Sequence, residues 1–249
     1  MNSTTKEPAR GGTERNEVQP KGTFVREMFA RIAPRYDLAN RMMTGGLDER
    51  WRRRAIKLLA PPPHARILDL CCGTGDLVFG LLRSEPTLDV TGIDFCRPML
   101  DRAQARASKA GRGNARFVEG DVMAMPFPDQ AFDGATMGFS LRNVVDVDGT
   151  LREILRVLRP GASFVNLDVS KAPNKHFKRF FDLYFYGVVP VLGGIVGGSR
   201  EAYRYLPNSL IHHPNAPELR DRFVRAGFVD AGYLPLVGGT IAIHYGRRP

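Results

Sequence analysis

The segment from Arg66 to Asp76 constrains the fold of this chain more than any other part of the sequence. It reads Arg-Ile-Leu-Asp-Leu-Cys-Cys-Gly-Thr-Gly-Asp, which is a short apolar strand, a glycine turn and the start of a helix. A second apolar strand follows and ends at Asp94. This order is typical of open α/β sheets that bind a nucleoside at the carboxyl ends of their strands. We therefore predict an adenosyl ligand at the turn.

The residues beside the turn indicate which adenosyl ligand it binds. Gly73-Thr74-Gly75 is flanked by the carboxylates of Asp69 and Asp76, although sheet-to-helix geometry alone is another reason for such a turn. A dinucleotide-binding turn usually adds a third glycine near the pyrophosphate and leaves the helix N-terminus free for an anion. Carboxylates favour a cation instead. S-adenosylmethionine carries a sulfonium and an ammonium group, so the sequence predicts this methyl donor rather than NAD.

Strand and helix patterns alternate along most of the chain. Apolar runs suited to strands lie at 66–70, 89–93, 115–119, 132–137, 162–167, 228–234 and 240–245. With helical periodicity between most of them, they predict an α/β, Rossmann-like, doubly wound and mostly parallel seven-stranded sheet. Residues 1–20 are polar and aperiodic, which predicts a disordered tail. Residues 21–249 predict a single domain with an N-terminal helical cap and an insert at about 171–215, before the last helix.

Residues that directly follow the strands are the candidates for the donor site, because ligands of such sheets lie outside the carboxyl ends of the strands. Asp94 is placed to accept hydrogen bonds from the ribose hydroxyls, and Asp121 and the amide of Val122 to hold the adenine. A helix N-cap or a turn is the structural alternative for both carboxylates. The full predicted set of donor-binding residues is Asp69, Gly73, Thr74, Gly75, Asp94, Asp121, Val122 and Ser140.

The end of the fourth strand indicates the kind of methyl acceptor. Enzymes that methylate an exocyclic amine of a base typically hold it with a polar residue, two prolines and an aromatic residue. Here the chain reads Phe-Ser-Leu-Arg-Asn at 139–143, which disfavours an amine acceptor. We expect Arg142 to pair either with an anionic acceptor oxygen or with the nearby Asp146 or Asp148.

Charge and cysteine content limit the partners and the compartment. Lys and Arg number 36 against 26 Asp and Glu, a formal net charge of +10, which favours anionic surfaces or serves solubility. The basic residues are not interleaved with clustered aromatic residues, so we expect no nucleic acid partner. Three cysteines form neither a disulfide framework nor a zinc spacing. We expect no metal and a cytoplasmic protein.

The insert contains an apolar stretch that predicts the acceptor side. Residues 180–198 are mostly aromatic and aliphatic, but Asp182, Pro190 and several glycines argue against a spanning helix. Basic residues form a collar around this stretch: Lys171, Lys175, Lys178, Arg179, Arg200 and Arg204. This pattern predicts peripheral contact with an anionic membrane, on its inner face. The alternatives are a lid that packs on its own core, or an interface with a second copy in a homodimer.

Three segments resemble the ubiquinone/menaquinone biosynthesis C-methyltransferases (UbiE/MenG), a family of class I S-adenosylmethionine-dependent methyltransferases. They are Tyr-Asp-Leu-Ala-Asn at 36–40 through Trp51, Gly-Phe-Ser-Leu-Arg-Asn at 138–143, and Arg-Val-Leu-Arg-Pro-Gly at 156–161 through Ser170. The similarity extends from about Phe24 to Gly246. The donor contacts that it implies are Thr74, Asp94, Asp121 and Val122.

The same resemblance implies C-methylation of a prenylated quinol, with demethylmenaquinol converted to menaquinol as the expected reaction. The benzoquinol precursor of ubiquinone and a soluble phenolic metabolite are the alternative acceptors. An RNA-associated methyltransferase is a more distant alternative, prompted by the charge of the chain.

The chain departs from the family pattern at several positions. Asp48 stands where histidine is usual, Ser140 where glycine is common, and Asp168 where glutamate is usual. We expect Asp48 to cap the helix that carries Trp51, with a role as a base as the alternative. Ser140 brings an extra hydroxyl close to the expected acceptor.

Methyl transfer to an aromatic carbon requires an electron-rich ring, so the reduced quinol is the expected acceptor and a side chain must accept or steer the proton of its hydroxyl. Four residues are candidates for this chemistry: His244, Arg142, Tyr36 and Asp37. His244 on the last strand is the first choice, and Arg142 is a candidate to stabilise the phenolate. Each of the four has a structural role as its alternative.

Overall fold

The structure is a computed structural model that describes residues 21–174, 179, 181–197, 202, 205, 208–211 and 213–249. The predicted disordered tail at 1–20 lies outside the described residues. So do four of the six residues of the basic collar: Lys175, Lys178, Arg200 and Arg204.

Three helices form the N-terminal cap. They are α1 (Lys21–Ile32), α2 (Tyr36–Met43) and α3 (Leu47–Leu59), with a 3-10 turn between the first two. Gly46 precedes α3 in the left-handed region (φ 76°), and Ala60 ends it there (φ 45°) before three consecutive prolines. The cap packs over one end of the sheet, where Met28 and Ile32 of α1 share a buried cluster with Cys96, which lies just after the second strand.

Seven strands form one sheet in the order β3-β2-β1-β4-β5-β7-β6. Their bounds are β1 Arg66–Leu70, β2 Asp89–Asp94, β3 Ala115–Glu119, β4 Phe132–Gly138, β5 Leu158–Val169, β6 Val229–Leu236 and β7 Ile241–Arg247. β7 runs antiparallel to both of its neighbours, and the other pairs are parallel. The predicted mostly parallel, doubly wound sheet is therefore confirmed.

In the described part of the chain, five further helices have defined bounds, and they flank the sheet or belong to the insert. They are α4 (Asp76–Ser84), α5 (Arg97–Lys109), α6 (Val147–Val157), α7 (Val189–Gly197) and α8 (Ala216–Ala226). A π-helical segment, Leu183–Val188, leads into α7. Side-chain caps fix where α6 and α8 begin, because Asp146 accepts from the N–H of Gly149, and Asn215 and Glu218 form a capping box.

Alternate residues of β1 pack on opposite faces of the sheet. Ile67 belongs to the core under α3 and α4, whereas Leu68 and Leu70 belong to the core under α6 and α8. Each such fully buried side chain contributes about 1.5–3 kcal/mol. The order of the strands reverses between β1 and β4, and this switch point is where open sheets of this kind bind ligands.

The helix–strand boundary near residue 160 differs from the prediction. The predicted fifth strand begins at residue 162, but α6 already ends at Val157 and β5 begins at Leu158. A register shift in the pairing of β4 with β5 accommodates the proline and Gly161, which has φ 80°. In the part of the chain described here, no helix has both the length and the apolar character needed to cross a membrane.

Candidate active site

Asp94 organises the glycine turn that follows β1. Its Oδ2 accepts the N–H of Gly73 at 2.9 Å, and its Oδ1 accepts the N–H of Cys96 at 2.8 Å. Gly73 has φ 55°, and a Cβ at this position would meet no atom within 4 Å, so this side of the turn is open. Burial raises the pKa of the Asp94 carboxyl to about 6.

A first cavity, here called the rim cavity, opens beside Asp94 with a volume of about 760 Å³. Its apolar wall includes Phe29, Phe95 and Met99, which suits a flat ring system. Five of the predicted donor residues also line it: Gly73, Asp94, Asp121, Val122 and Ser140. The exposed carboxylate of Asp121 accepts the N–H of Met123 at 2.9 Å. Asp121 therefore stabilises a turn, the structural alternative given above, and also forms part of the cavity wall.

A smaller space, the deep cavity, continues from the rim cavity with a volume of about 370 Å³. Both cavities are lined by Tyr36, Cys71, Gly73 and Ser140. The predicted donor residues Asp69 and Thr74 also line the deep cavity. Gly75 lines neither cavity and instead precedes α4 as its N-cap, with φ 89°.

Asp69 is the most deeply buried carboxylate of the deep cavity, with 1% of its surface exposed. It accepts a hydrogen bond from Thr136 Oγ1 at 2.7 Å. Burial raises its pKa to about 7, so a cation beside it would favour its ionised form. The deep cavity is thus suited to a positively charged ligand group.

A third space, the apolar cavity, lies between the cap and the insert and has a volume of about 1570 Å³. Apolar side chains make up most of its wall, and several of them are aromatic: Phe29, Trp51, Phe139, Phe181, Tyr184 and Phe185. Phe181 and Phe185 stack with their ring centroids 4.9 Å apart, and the hydroxyl of Tyr184 donates to the carbonyl of Met43. The stacked pair lies within the insert, and the hydrogen bond to Met43 joins the insert to α2.

Tyr36 lies in the walls of all three cavities. It is therefore the residue at which the rim and deep cavities meet the apolar cavity. Burial raises the pKa of its phenol, so the hydroxyl stays protonated and serves as a hydrogen-bond donor near neutral pH.

Arg142 lines the apolar cavity, and three contacts with neighbouring residues hold its side chain there. Its guanidinium pairs with the buried Asp168 and donates to the carbonyl of Phe139, and its Nε donates to Ser209 Oγ at 3.2 Å. The predicted pairing with Asp146 or Asp148 is wrong. Asp146 caps α6, and the carboxylate of Asp148 accepts from Arg222 at 3.1 Å.

Asp37 ties the cap to the glycine turn. Its Oδ1 accepts from Thr74 Oγ1 at 2.5 Å, and its Oδ2 lies 3.3 Å from the guanidinium of Arg106, which also contacts Asp76 at 2.9 Å. Asp37 does not line the apolar cavity. The structure therefore places it where it positions the turn rather than beside an acceptor.

The structure corrects the placement expected for His244, which lines none of the three cavities. His244 is 2% exposed, its Nε2 lies 2.9 Å from the carbonyl oxygen of Ala216, and its ring packs between Phe223 and Tyr233. Burial lowers its pKa, which keeps the ring neutral. This is the environment of a core histidine, on a strand that β4 and β5 separate from the switch point.

Asp48 does not cap its helix, contrary to expectation. The N-cap of α3 is Gly46, with no side-chain hydrogen bond. The carboxylate of Asp48 instead accepts from Thr44 Oγ1 at 2.9 Å and pairs with Arg52, one turn further along α3.

Sequence reasoning did not identify several residues that the structure brings to the site. Arg52 lines both the deep and the apolar cavity, and Phe95 lines the rim cavity directly after Asp94. The position of Phe95 after the strand-ending acid was a usable signal. Arg52 and Arg106 gave none, since α3 and α5 carry many other arginines. Among the described residues, no group of three or more His, Cys, Asp or Glu side chains is arranged to hold a metal.

Comparison with known proteins identifies relatives along nearly the whole chain. Residues 15–248 match the profile of the ubiE/COQ5 methyltransferase family. Demethylmenaquinone methyltransferase from Thermus thermophilus is 45% identical over 222 residues, 89% of this chain and 100% of the relative. The protein of the same name from Desulfitobacterium hafniense is 38% identical, over 96% of this chain and 98% of the relative. Ubiquinone/menaquinone biosynthesis C-methyltransferase UbiE from Geobacter sulfurreducens is 38% identical, over 92% and 90%.

Solved structures of low sequence identity share the fold. A SAM-dependent methyltransferase from Thermotoga maritima superposes with a TM-score of 0.65 at 17% identity, covering 90% of this chain and 100% of the other. A SAM-dependent methyltransferase from Aquifex aeolicus gives a TM-score of 0.58 at 18% identity, covering 80% and 89%.

Proposed function

The chain belongs to the ubiE/COQ5 methyltransferase family, whose members use S-adenosylmethionine, and we propose that it transfers a methyl group to a ring carbon of a reduced prenylated naphthoquinone, demethylmenaquinol. The observation that carries this proposal is the apolar, aromatic-lined cavity that adjoins the rim and deep cavities at Tyr36. An apolar cavity of this size suits a fused ring and the start of an isoprenoid tail. Three relatives are named demethylmenaquinone methyltransferase, which supports the naphthoquinol, whereas the name of the relatives called UbiE covers both quinones.

The residues of the rim and deep cavities fit the methyl donor. We assign Asp94 to the ribose hydroxyls, Asp121 and Val122 to the adenine, and Asp69, Gly73, Thr74 and Ser140 to the methionyl side. Independent support comes from Asn143, which lines the rim cavity. The oxygen and nitrogen of its buried side-chain amide have no hydrogen-bond partner within the described part of the chain. Such a group is expected to bond to a ligand or water.

S-adenosylmethionine supplies an electrophilic methyl group on a sulfonium. The residues of the protein align the acceptor, exclude water and stabilise negative charge on the ring. Transfer would bond the methyl group to the ring carbon and leave S-adenosylhomocysteine. The hydroxyl proton would leave to solvent, and the hydrogen of the methylated carbon would move to the ring oxygen as the ring regains aromaticity, so that one proton is released overall. Tyr36 is placed to donate a hydrogen bond where the cavities meet. Arg142, held by Asp168, offers a fixed positive charge to the developing phenolate. Trp51 and Phe139, whose ring centroids lie 6.4 Å apart, form part of the apolar wall that shields the ring from water.

Quinone analysis of cells tests the proposed acceptor. Quinones are extracted from cells with and without the gene for this protein, and the masses of their head groups are measured. We expect a naphthoquinone that lacks one ring methyl in the cells without the gene, and restoration by the plasmid-borne protein. An unchanged naphthoquinone with a benzoquinone that lacks one methyl would replace this acceptor with the ubiquinone precursor. No change in either quinone would favour a soluble phenol.

We further propose that the open side of the apolar cavity faces an anionic membrane. Exposed apolar side chains of the cap, the insert and the turn between β6 and β7 support this orientation: Leu38, Met42, Leu47, Leu183, Val191, Ile195 and Val237. The basic face of α3 adjoins them, with Arg50, Arg53, Arg54 and Lys57 beside Leu47 and Val237. Apolar side chains with adjacent cations are typical of interfacial contacts.

Co-sedimentation with vesicles tests the membrane proposal. The protein should bind phosphatidylglycerol-containing vesicles in low salt and bind pure phosphatidylcholine vesicles less. Leu183→Asp combined with Ile195→Asp should reduce binding, whereas Val224→Asp, at an exposed valine on α8, should not. Vesicle binding that is equal for all variants would contradict this orientation. A homodimer that dissociates with Leu183→Asp and Ile195→Asp would instead assign the face to a second copy.

A further inference from the structure

The deep cavity carries charges of both signs. Its carboxylates are Asp69 and Asp76, and among the described residues that line it, the positive charge is that of Arg52. The methionyl end of the donor is a zwitterion, with an ammonium and a carboxylate on the same carbon. Carboxylates alone would match its ammonium but repel its carboxylate. A cation is therefore needed near the second group.

Arg52 is held at this cavity by contacts on several sides. Its side chain is 12% exposed, it pairs with Asp48 on the same helix, and its Nη2 lies 3.4 Å from Asp76. The centre of its guanidinium lies 5.4 Å from the ring centroid of Phe139. A guanidinium has five N–H donors, so these contacts leave donors for a further carboxylate.

We infer that Arg52 binds the α-carboxylate of the methyl donor and that Asp48 positions Arg52 for this contact. This inference rests on the donor site described above and adds to it a recognition residue on the cap. It also gives Asp48 a role. The Asp48 carboxylate accepts a hydrogen bond from Thr44 and orients the side chain of Arg52, which lies one helical turn further along α3. Donor selectivity thus depends on α3, outside the strand ends that hold the nucleoside.

A residue–ligand cycle tests the contact through binding rather than turnover. Calorimetry measures S-adenosylhomocysteine and its decarboxylated analogue, S-adenosyl-3-thiopropylamine, on the wild type and on Arg52→Gln. The wild type should prefer the carboxylate-bearing ligand by about tenfold or more, as expected for a charged hydrogen bond. Arg52→Gln should bind the two ligands within about threefold of each other, and its affinity for the decarboxylated ligand should stay near that of the wild type.

Two further variants separate recognition from structure. Arg53→Gln, at the exposed neighbouring arginine that pairs with Glu49, should keep the wild-type preference. Asp48→Asn should lower the preference, and Arg52→Lys should keep part of it. If Arg52→Gln does not fold, the preference of Arg52→Lys decides: a value below that of the wild type supports the contact, and an unchanged value overturns it.

The outcomes distinguish this inference from the proposed function. Equal weakening of both ligands by Arg52→Gln would make Arg52 structural and overturn the inference, while the donor site would stand. Failure of the wild type to bind S-adenosylhomocysteine at all would overturn the donor site itself.

Discussion

The rim cavity takes most of its walls from residues at the ends of neighbouring strands, whereas the apolar cavity takes its walls from cap helices and an insert that are far apart in the chain. In the rim cavity, hydrogen bonds from the backbone of Gly73 and Cys96 fix Asp94. In the apolar cavity, aromatic packing sets the shape. This difference matches the two proposed tasks: polar, backbone-fixed groups for the donor, and an apolar wall for a hydrophobic ring and tail.

Removal of the Asp94 carboxylate should have the largest effect on the rim cavity. Asp94→Ala loses the acceptor for the ribose hydroxyls and also frees the N–H groups of Gly73 and Cys96. We expect the affinity for S-adenosylhomocysteine to fall about 100-fold, as for the loss of a charged hydrogen-bonding group. Calorimetry measures this, with the exposed Asp101→Asn as the control. Affinity within threefold of the wild type would remove Asp94 from the donor site.

Loss of the Tyr36 hydroxyl should lower the rate of methyl transfer, because Tyr36 lies where the donor cavities meet the apolar cavity. Tyr36→Phe keeps the ring in the wall but removes the hydrogen-bond donor. We expect turnover to fall by roughly 10-fold, while donor affinity stays within about twofold of the wild type, since Asp94 and Asp69 are untouched. Single-turnover methyl transfer and calorimetry measure the two quantities. A parallel loss of donor affinity would assign the Tyr36 hydroxyl to donor binding and contradict a role in methyl transfer.

The pH dependence of donor binding should reflect the buried carboxylates. Burial raises the pKa of Asp69 to about 7 and that of Asp94 to about 6, so both bind protons in the free protein at pH 5. The ammonium of the ligand favours ionised Asp69. Affinity for S-adenosylhomocysteine should therefore rise from pH 5 to about 7 and level off above it, with protons released on binding.

Calorimetry in buffers of different ionisation enthalpy measures the released protons. Asp69→Asn should abolish the part of the pH dependence near pH 7, and Asp101→Asn should leave it intact. Affinity that is flat or falls with rising pH would contradict the cationic character assigned to the ligand of the deep cavity.

Substitution of His244 should have the smallest effect on chemistry. His244→Gln changes a neutral core side chain away from all three cavities, so turnover at saturating substrate should stay within about threefold of the wild type. The Tm should fall by a few degrees, because a packed ring between Phe223 and Tyr233 is lost. A large fall in turnover with unchanged Tm would restore His244 as a catalytic residue and break the proposed division between core and cavities.

The rim cavity was more predictable from sequence than the apolar cavity. Asp94 and the glycine turn follow strands whose apolar runs are evident, and parallel strands bring their carboxyl ends together by rule. The apolar stretch at 180–198 did indicate the acceptor side, and Phe181 belongs to it. Arg52 carries no such local signal, because helix packing rather than chain order places it. His244 was misplaced for a different reason: its strand, β7, lies between β5 and β6, which places it away from the switch point.

Asp48, which stands where the family usually has histidine, has a different role in the structure from the one expected from the sequence. A capping role was the natural expectation for an aspartate near the start of a helix. The N-cap is the left-handed Gly46, two residues before Asp48, so Asp48 lies inside the first turn of α3 and contacts Arg52 instead. A shift of two residues in a helix start thus changed the partner of a charged side chain, which sequence spacing does not resolve.

Transfer of a labelled methyl group tests the central claim most directly. The purified protein is incubated with S-adenosylmethionine that carries a trideuterated methyl and with a short-tailed demethylmenaquinol kept reduced, and the product is analysed by mass spectrometry and NMR. We expect one trideuteromethyl group on the quinone ring carbon, and none when the oxidised quinone is supplied. A label on a ring oxygen, or equal transfer to the oxidised quinone, would contradict the account.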